Sequence, residues 1–115
     1  MAETPKLTRA EAEAIVETKT APRVTREHIE QQIADVEYAW PSVRNPMMCV
    51  CLITMRNGFT VHGVSAPASP ANFDNEVGKR YAYDDAFRQL WPLEGYLLRQ
   101  ALYTDSLLPQ PARTP

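Results

Sequence analysis

The fold is decided between Met47 and Ser65: Met47-Met48-Cys49-Val50-Cys51-Leu52-Ile53-Thr54-Met55, then Arg56-Asn57-Gly58-Phe59, then Thr60-Val61-His62-Gly63-Val64-Ser65. Two β-prone runs flank an Asn-Gly pair. That pair is the strongest short-range hairpin signal, because a type I′ turn needs positive φ at both central residues. A two-residue loop predicts that Thr54 faces Val61, Ile53 faces His62, Leu52 faces Gly63 and Cys51 faces Val64. Both faces of the first strand are apolar, which predicts a central strand or one covered on both sides. A lone two-stranded hairpin is not stable in water, so the flanking sequence must supply cover.

Downstream, a helix is predicted from Asn72 or Asp74 to about Leu90. Gly78, Ala82 and Ala86 recur every four residues, and such a ridge of small residues lets a helix lie close to a sheet. Val77, Tyr81 and Phe87 flank the ridge. Trp91-Pro92 interrupts the helix, and Pro92 suits the first turn of a further one that carries Leu93, Tyr96, Leu97 and Leu98 towards Leu102. Upstream, Ile29, Ile33, Val36 and Trp40 recur at spacings of four, three and four. They read as the apolar stripe of a helix capped by Thr25 and ended by Pro41. Thr8 and Glu11 have capping-box spacing for an earlier helix, Arg9 to Thr18. Its apolar face is thin, and at about ten residues it is marginal alone.

The expected fold is therefore α+β: N-terminal helices, a central β-hairpin with an Asn-Gly turn, and a kinked C-terminal helix packed on it. Residues 1–108 read as a single small α+β domain, of which 1–23 form a loosely attached helix. Residues 109–115, with Pro109, Pro111 and Pro115, read as a disordered tail. The hairpin's apolar faces exceed what one short helix covers, so a homo-oligomer, dimer or larger, is expected.

The length of 115 residues fits one domain. Twelve Lys and Arg stand against fourteen Asp and Glu, a net charge of −2, which argues against bulk binding to nucleic acid phosphates. No apolar run approaches the ~20 residues of a membrane span. Met1 to Lys6 lacks the layout of a signal peptide, so a cytosolic protein is expected.

Few residues point to catalysis. Cys49 and Cys51 share one face of a strand, but zinc takes about four ligands, and His28 and His62 are not in ligand spacing. His62 has no nucleophile motif beside it. Asp84 and Asp85 are adjacent and diverge by ~100° on a helix. Four glycines cannot build a phosphate-binding fingerprint. No catalytic residue, metal or cofactor is expected. A second cluster is more suggestive. Arg56, Asn57 and Phe59 lie at the hairpin tip, and Asn72 and Phe73 at the start of the third helix, with Lys79 and Arg80 close by in sequence. Stacking faces, an amide, guanidinium groups and a helix N-terminus are what a nucleotide-like ligand needs. The alternative places both phenylalanines in the core and the cations in solvent.

The segments Arg56-Asn57-Gly58-Phe59-Thr60-Val61-His62-Gly63-Val64-Ser65, Pro70-Ala71-Asn72-Phe73-Asp74-Asn75-Glu76-Val77-Gly78, Ala82-Tyr83 and Leu90-Trp91-Pro92-Leu93-Glu94-Gly95-Tyr96-Leu97-Leu98 together resemble the phage gp forty-nine/gene sixty-six family. The likeness covers roughly residues 24 to 100. It implies a small bacteriophage or prophage accessory protein, outside the virion, in the host cell cytoplasm. An amide often stands in the family where this chain has Asp85, which adds Asp85 to the candidate ligand-binding residues. By analogy with small phage proteins that antagonise host defence, the resemblance implies a non-enzymatic sponge that sequesters a cyclic or modified nucleotide. The rival expectations are an inhibitor that covers a host protein through the apolar hairpin and second helix, and a hydrolase built on His62 with Asp84 or Asp85.

Overall fold

A computed structural model describes residues 3–109 of the chain. Its elements are α1 (Arg9–Glu17), α2 (Arg26–Gln31), β1 (Ile33–Ala39), β2 (Cys49–Met55), β3 (Thr60–Ser65), α3 (Asn75–Arg88) and α4 (Leu90–Leu107). The three strands form one antiparallel sheet in the order β1-β2-β3. The fold is α+β, and the apolar strand Cys49–Met55 is its central strand.

The segment read as a second helix is instead a short helix followed by an edge strand. Thr25 caps α2 by accepting a hydrogen bond from the His28 amide at 3.1 Å, and only Ile29 of this helix is buried. The chain then becomes β1. Ile33 pairs with Met55 and Asp35 with Thr54, so Ala34 is an extra residue in a bulge. The bulge lengthens one strand repeat from two residues to three. Ile33, Val36 and Trp40 thereby acquire helical spacing while packing against the core from a strand and its end.

The hairpin forms, but with a different turn and register. Gly58 has φ of 90°, and no other described residue has positive φ, which excludes a type I′ turn. The Gly58 amide donates to the Met55 carbonyl at 2.9 Å, and the Met55 amide to the Phe59 carbonyl at 2.7 Å. This is a three-residue loop, Arg56 to Gly58, closed by glycine in the left-handed region. One added loop residue moves every pair by one. Thr54 faces Thr60, Ile53 faces Val61, Leu52 faces His62 and Cys51 faces Gly63.

Cys49, Cys51, Ile53 and Met55 alternate onto the buried face of β2. They meet α3, whose ridge of Gly78, Ala82 and Ala86 lies on this face. Asp74 caps α3 by accepting from the Glu76 and Val77 amides at 2.9 and 3.1 Å. Ile29, Val61, Phe87 and Leu90 complete the core. Gly63 is where the backbones approach most closely: a Cβ there would press into the Ala82 carbonyl oxygen and the Ala86 nitrogen. The other face of the sheet carries Leu52, His62 and Val64, all exposed.

α3 bends into α4 at Gln89. Pro92 cannot donate to the Arg88 carbonyl and its ring crowds that group, which breaks the helix there. Leu90 and Glu94 are the buried residues of α4, Leu98 is half-buried, and every residue from Arg99 to Leu107 is exposed. α1 has its capping box and no buried residue. Of the sequence assigned to the tail, 110–115 lie outside the described residues.

Candidate functional site

A cleft of about 710 Å³ opens between α2, the hairpin tip and the first half of α4. α2 is held against the tip by one backbone bond, from the Arg56 amide to the Gln32 carbonyl at 2.8 Å. Met55, Leu90, Leu93 and Leu97 give the cleft apolar walls, and Arg23, His28, Arg56 and Asn57 give it polar ones. His28 Nε2 lies 3.3 Å from Glu94 Oε2. Glu94 is the buried charged residue of the described chain, at 9% exposure. Arg9, Arg26, Arg80 and Arg88 each pair with a carboxylate, whereas Arg23 and Arg56 form no ion pair among the described residues.

The candidate residues fall into separate groups. Arg56, Asn57 and Phe59 all line the cleft. Asn57 Oδ1 also accepts from the Phe59 amide at 3.0 Å and so shapes the tip. Phe59 is 53% exposed and Phe73 is 43% exposed, so neither phenylalanine is in the core. Asn72 and Phe73 do not join the tip. α3 begins beside Cys49 and Ser65, close to Gly78, at the opposite end of the strands. Thr60 to Ser65 spans about 17 Å at ~3.3 Å per residue. Asp74 already occupies the first N–H groups of α3, so this helix start presents a carboxylate to solvent.

Lys79 and Arg80 belong to a third place, the flank of α3 beside β1. Lys79 Nζ is 5.5 Å from the Tyr38 ring centre and 5.8 Å from that of Trp40. Arg80 pairs with Asp84 at 3.0 Å and lies 5.6 Å from the Tyr83 ring. With Arg26, Glu30 and Tyr38 it borders a smaller cavity of about 350 Å³. Burial raises the Tyr83 hydroxyl above its ordinary pKa, and Glu30 adds to the rise. Asp85 has a structural partner: its Oδ2 accepts from the Val64 amide, and its Oδ1 pairs with Arg88 at 2.6 Å.

Cys49 and Cys51 are free and buried in the core. Burial, with Cys49 as the second cause, pushes the Cys51 thiol up to about 11. No group of three or more metal-ligating side chains occurs among the described residues. His62 is exposed on the open sheet face. The sequence sets His28 aside as a metal ligand and does not single out Glu94. The available signal was an acid four residues from both Leu90 and Leu98, on the stripe by which α4 docks.

The profile of the phage protein (N4 Gp49/phage Sf6 gene 66) family matches residues 24–102. Neither a curated protein nor a solved structure matches the chain. The matched span includes α2, the whole sheet, α3 and most of α4, and with them every residue lining the cleft except Arg23, which lies one position before it. The chain belongs to this family.

Proposed function

We propose that this phage protein acts by binding, without catalysis, and that the cleft between the hairpin tip, α2 and α4 takes a nucleotide-like anion. Arg23 and Arg56 carry the reading: two guanidinium groups at an apolar cleft, with no carboxylate partner among the described residues. Clefts of this kind, apolar with a few convergent polar groups, are the usual form of a small-molecule site. Guanidinium groups suit phosphate oxygens, and the exposed Phe59 ring offers a base a stacking surface worth ~1–3 kcal/mol. Among the described residues, no serine, threonine or cysteine lines the cleft. In the host cytoplasm such a site would sequester a nucleotide signal of host defence.

The test is incubation of the protein with a panel of cyclic and linear nucleotides, then desalting, heating and chromatography of what is released. Intact ligand supports the reading, and an altered ligand replaces it with an enzyme. Absence of uptake favours a second reading, an inhibitor that covers a host protein. That reading draws on the open sheet face, where Leu52 and Val64 are 36% and 43% exposed.

A further inference from the structure

Resting on that reading of the cleft, we propose that Glu94 selects the base. The ligand is a guanine nucleotide, held by its paired N–H donors on the Glu94 carboxylate, with its phosphate at Arg23 and Arg56. Glu94 is the acid among the residues that line the cleft, and a carboxylate repels a phosphate. It therefore serves a different part of the ligand. Its position is also costly. Glu94 is 9% exposed and shares the cleft with Met55 and Leu90, 6% and 1% exposed. An ionised group in such surroundings is tolerated when it is paired and hydrogen-bonded. Among the described residues its ion-pair partner is His28, at 3.3 Å and itself half exposed, and no lysine or arginine pairs with it. His28 takes one of the roughly four lone-pair sites of a carboxylate. The rest are open to donors of a ligand.

Burial orders the ligand in the cleft. Arg23 and Arg56 are exposed, whereas Glu94, Met55 and Leu90 are buried. The anion is bound at the mouth and the donors at the floor, between apolar walls. A flat aromatic base suits such walls. A ribose diol also offers paired donors, but the sugar is hydroxylated and carries the phosphate, so it belongs towards the mouth. Among the bases, guanine sets a ring N–H beside an amino group, two parallel donors that match the two oxygens of a carboxylate. Adenine and cytosine set an amino group beside an unprotonated ring nitrogen, whose lone pair faces the second oxygen and is repelled. Uracil sets its one N–H between two carbonyls. Hypoxanthine keeps the ring N–H of guanine and lacks the amino group.

Calorimetry of the full chain with four monophosphates tests this: those of guanosine, inosine, adenosine and deoxyguanosine. Guanosine monophosphate should bind tightest. Inosine monophosphate should bind about tenfold more weakly, the loss of one hydrogen bond to a charged group, and adenosine monophosphate more weakly still. Deoxyguanosine monophosphate should match guanosine monophosphate, because the base and not the sugar is read. Glu94→Gln keeps the size of the side chain but sets a donor beside an acceptor, the complement of the adenine edge. Its preference should shift from guanosine to adenosine monophosphate, whereas a role confined to holding α2 would weaken all four alike. If circular dichroism shows that this variant loses its fold, the four ligands on the natural protein decide. Equal affinity for guanosine and adenosine monophosphates overturns the proposal and leaves the anion reading standing. So does a loss confined to deoxyguanosine monophosphate, which would assign the donors to the ribose, or an unchanged preference in a folded Glu94→Gln. Uptake of none of the four overturns the anion reading, and this proposal with it.

Discussion

Asp85 Oδ2 accepts a hydrogen bond from the backbone amide of Val64 at 2.9 Å, across 21 positions of sequence. One turn further along α3, Gln89 Nε2 donates to the His62 carbonyl at 2.6 Å. β3 is an edge strand, and its outward N–H and C=O groups would otherwise invite another strand. Side chains of α3 satisfy both. Asp85→Ala should therefore cost about 1.5–3 kcal/mol, the range for a lost hydrogen bond to a charged group. Asp85→Asn keeps an acceptor and should cost only a few tenths, from the lost Arg88 pair. Urea denaturation checks both, and equal losses would mean that the charge, not the Val64 bond, matters.

Two glycines should respond to the same substitution with opposite signs. Gly63→Ala places a methyl group against α3 backbone, which cannot yield as a side-chain end can. A loss of about 2 kcal/mol or more is expected. Gly95→Ala meets nothing within 4 Å in a helix, and should stabilise by about 0.5–1 kcal/mol. Thermal melts decide. A tolerated Gly63→Ala would mean that α3 sits further from the sheet.

Gly58→Val should destabilise by more than ~1 kcal/mol, because φ of 90° is strained for a β-branched residue. An unchanged melting temperature would count against this turn.

What the sequence made legible follows from what was local. The cap of α1 and the small-residue ridge of α3 each depend on neighbouring residues, and each is where the residues place it; the break expected at Trp91-Pro92 falls at Gln89, because Pro92 sits in the first turn of α4 and excludes the bond to Arg88. Val36, Tyr38 and Trp40 also alternate with period two, but the bulge at Ala34 hid the strand behind a helical spacing. The register slipped because Asn-Gly serves both two- and three-residue loops, and only tertiary context selects between them. The candidate site suffered from distance. Asn72 follows the hairpin closely in sequence, yet α3 starts at the far end of the strands. Glu94 was hidden inside an apolar segment whose docking face depends on α2.

Alkaline pH should loosen the core in a defined window. An ordinary cysteine thiol titrates near 9.0, and burial lifts that of Cys51 to about 11. Between those values unfolding releases a proton that the folded protein holds. Stability is then full below about pH 9 and falls as pH rises towards about 11. Burial also raises Cys49, Tyr38 and Tyr83, with the same sign. Denaturation midpoints from pH 8 upward should decline, and less steeply for Cys51→Ala. A rise across the window would sink the account.

The cleft makes the sharpest prediction. Arg23 and Arg56 lie at the cleft and neither forms an ion pair among the described residues, so neither substitution removes an ion pair from the fold. Arg23→Ala and Arg56→Ala should leave the melting temperature within about 1–2 °C, as surface changes away from special features do. Each should weaken uptake of a phosphate-bearing ligand by roughly tenfold or more, the loss expected for a charge-assisted hydrogen bond of ~1.5–3 kcal/mol. Phe59→Ala should weaken uptake by a comparable factor through lost stacking. Arg80→Ala separates this site from the α3 flank, because Arg80 is held by Asp84 and Tyr83 and does not line the cleft. Its uptake should match that of the natural protein. Calorimetry on the four variants reads all of this. A ligand that responds to Arg80 but not to Arg23 or Arg56 would move the site to the smaller cavity beside Tyr38 and Tyr83.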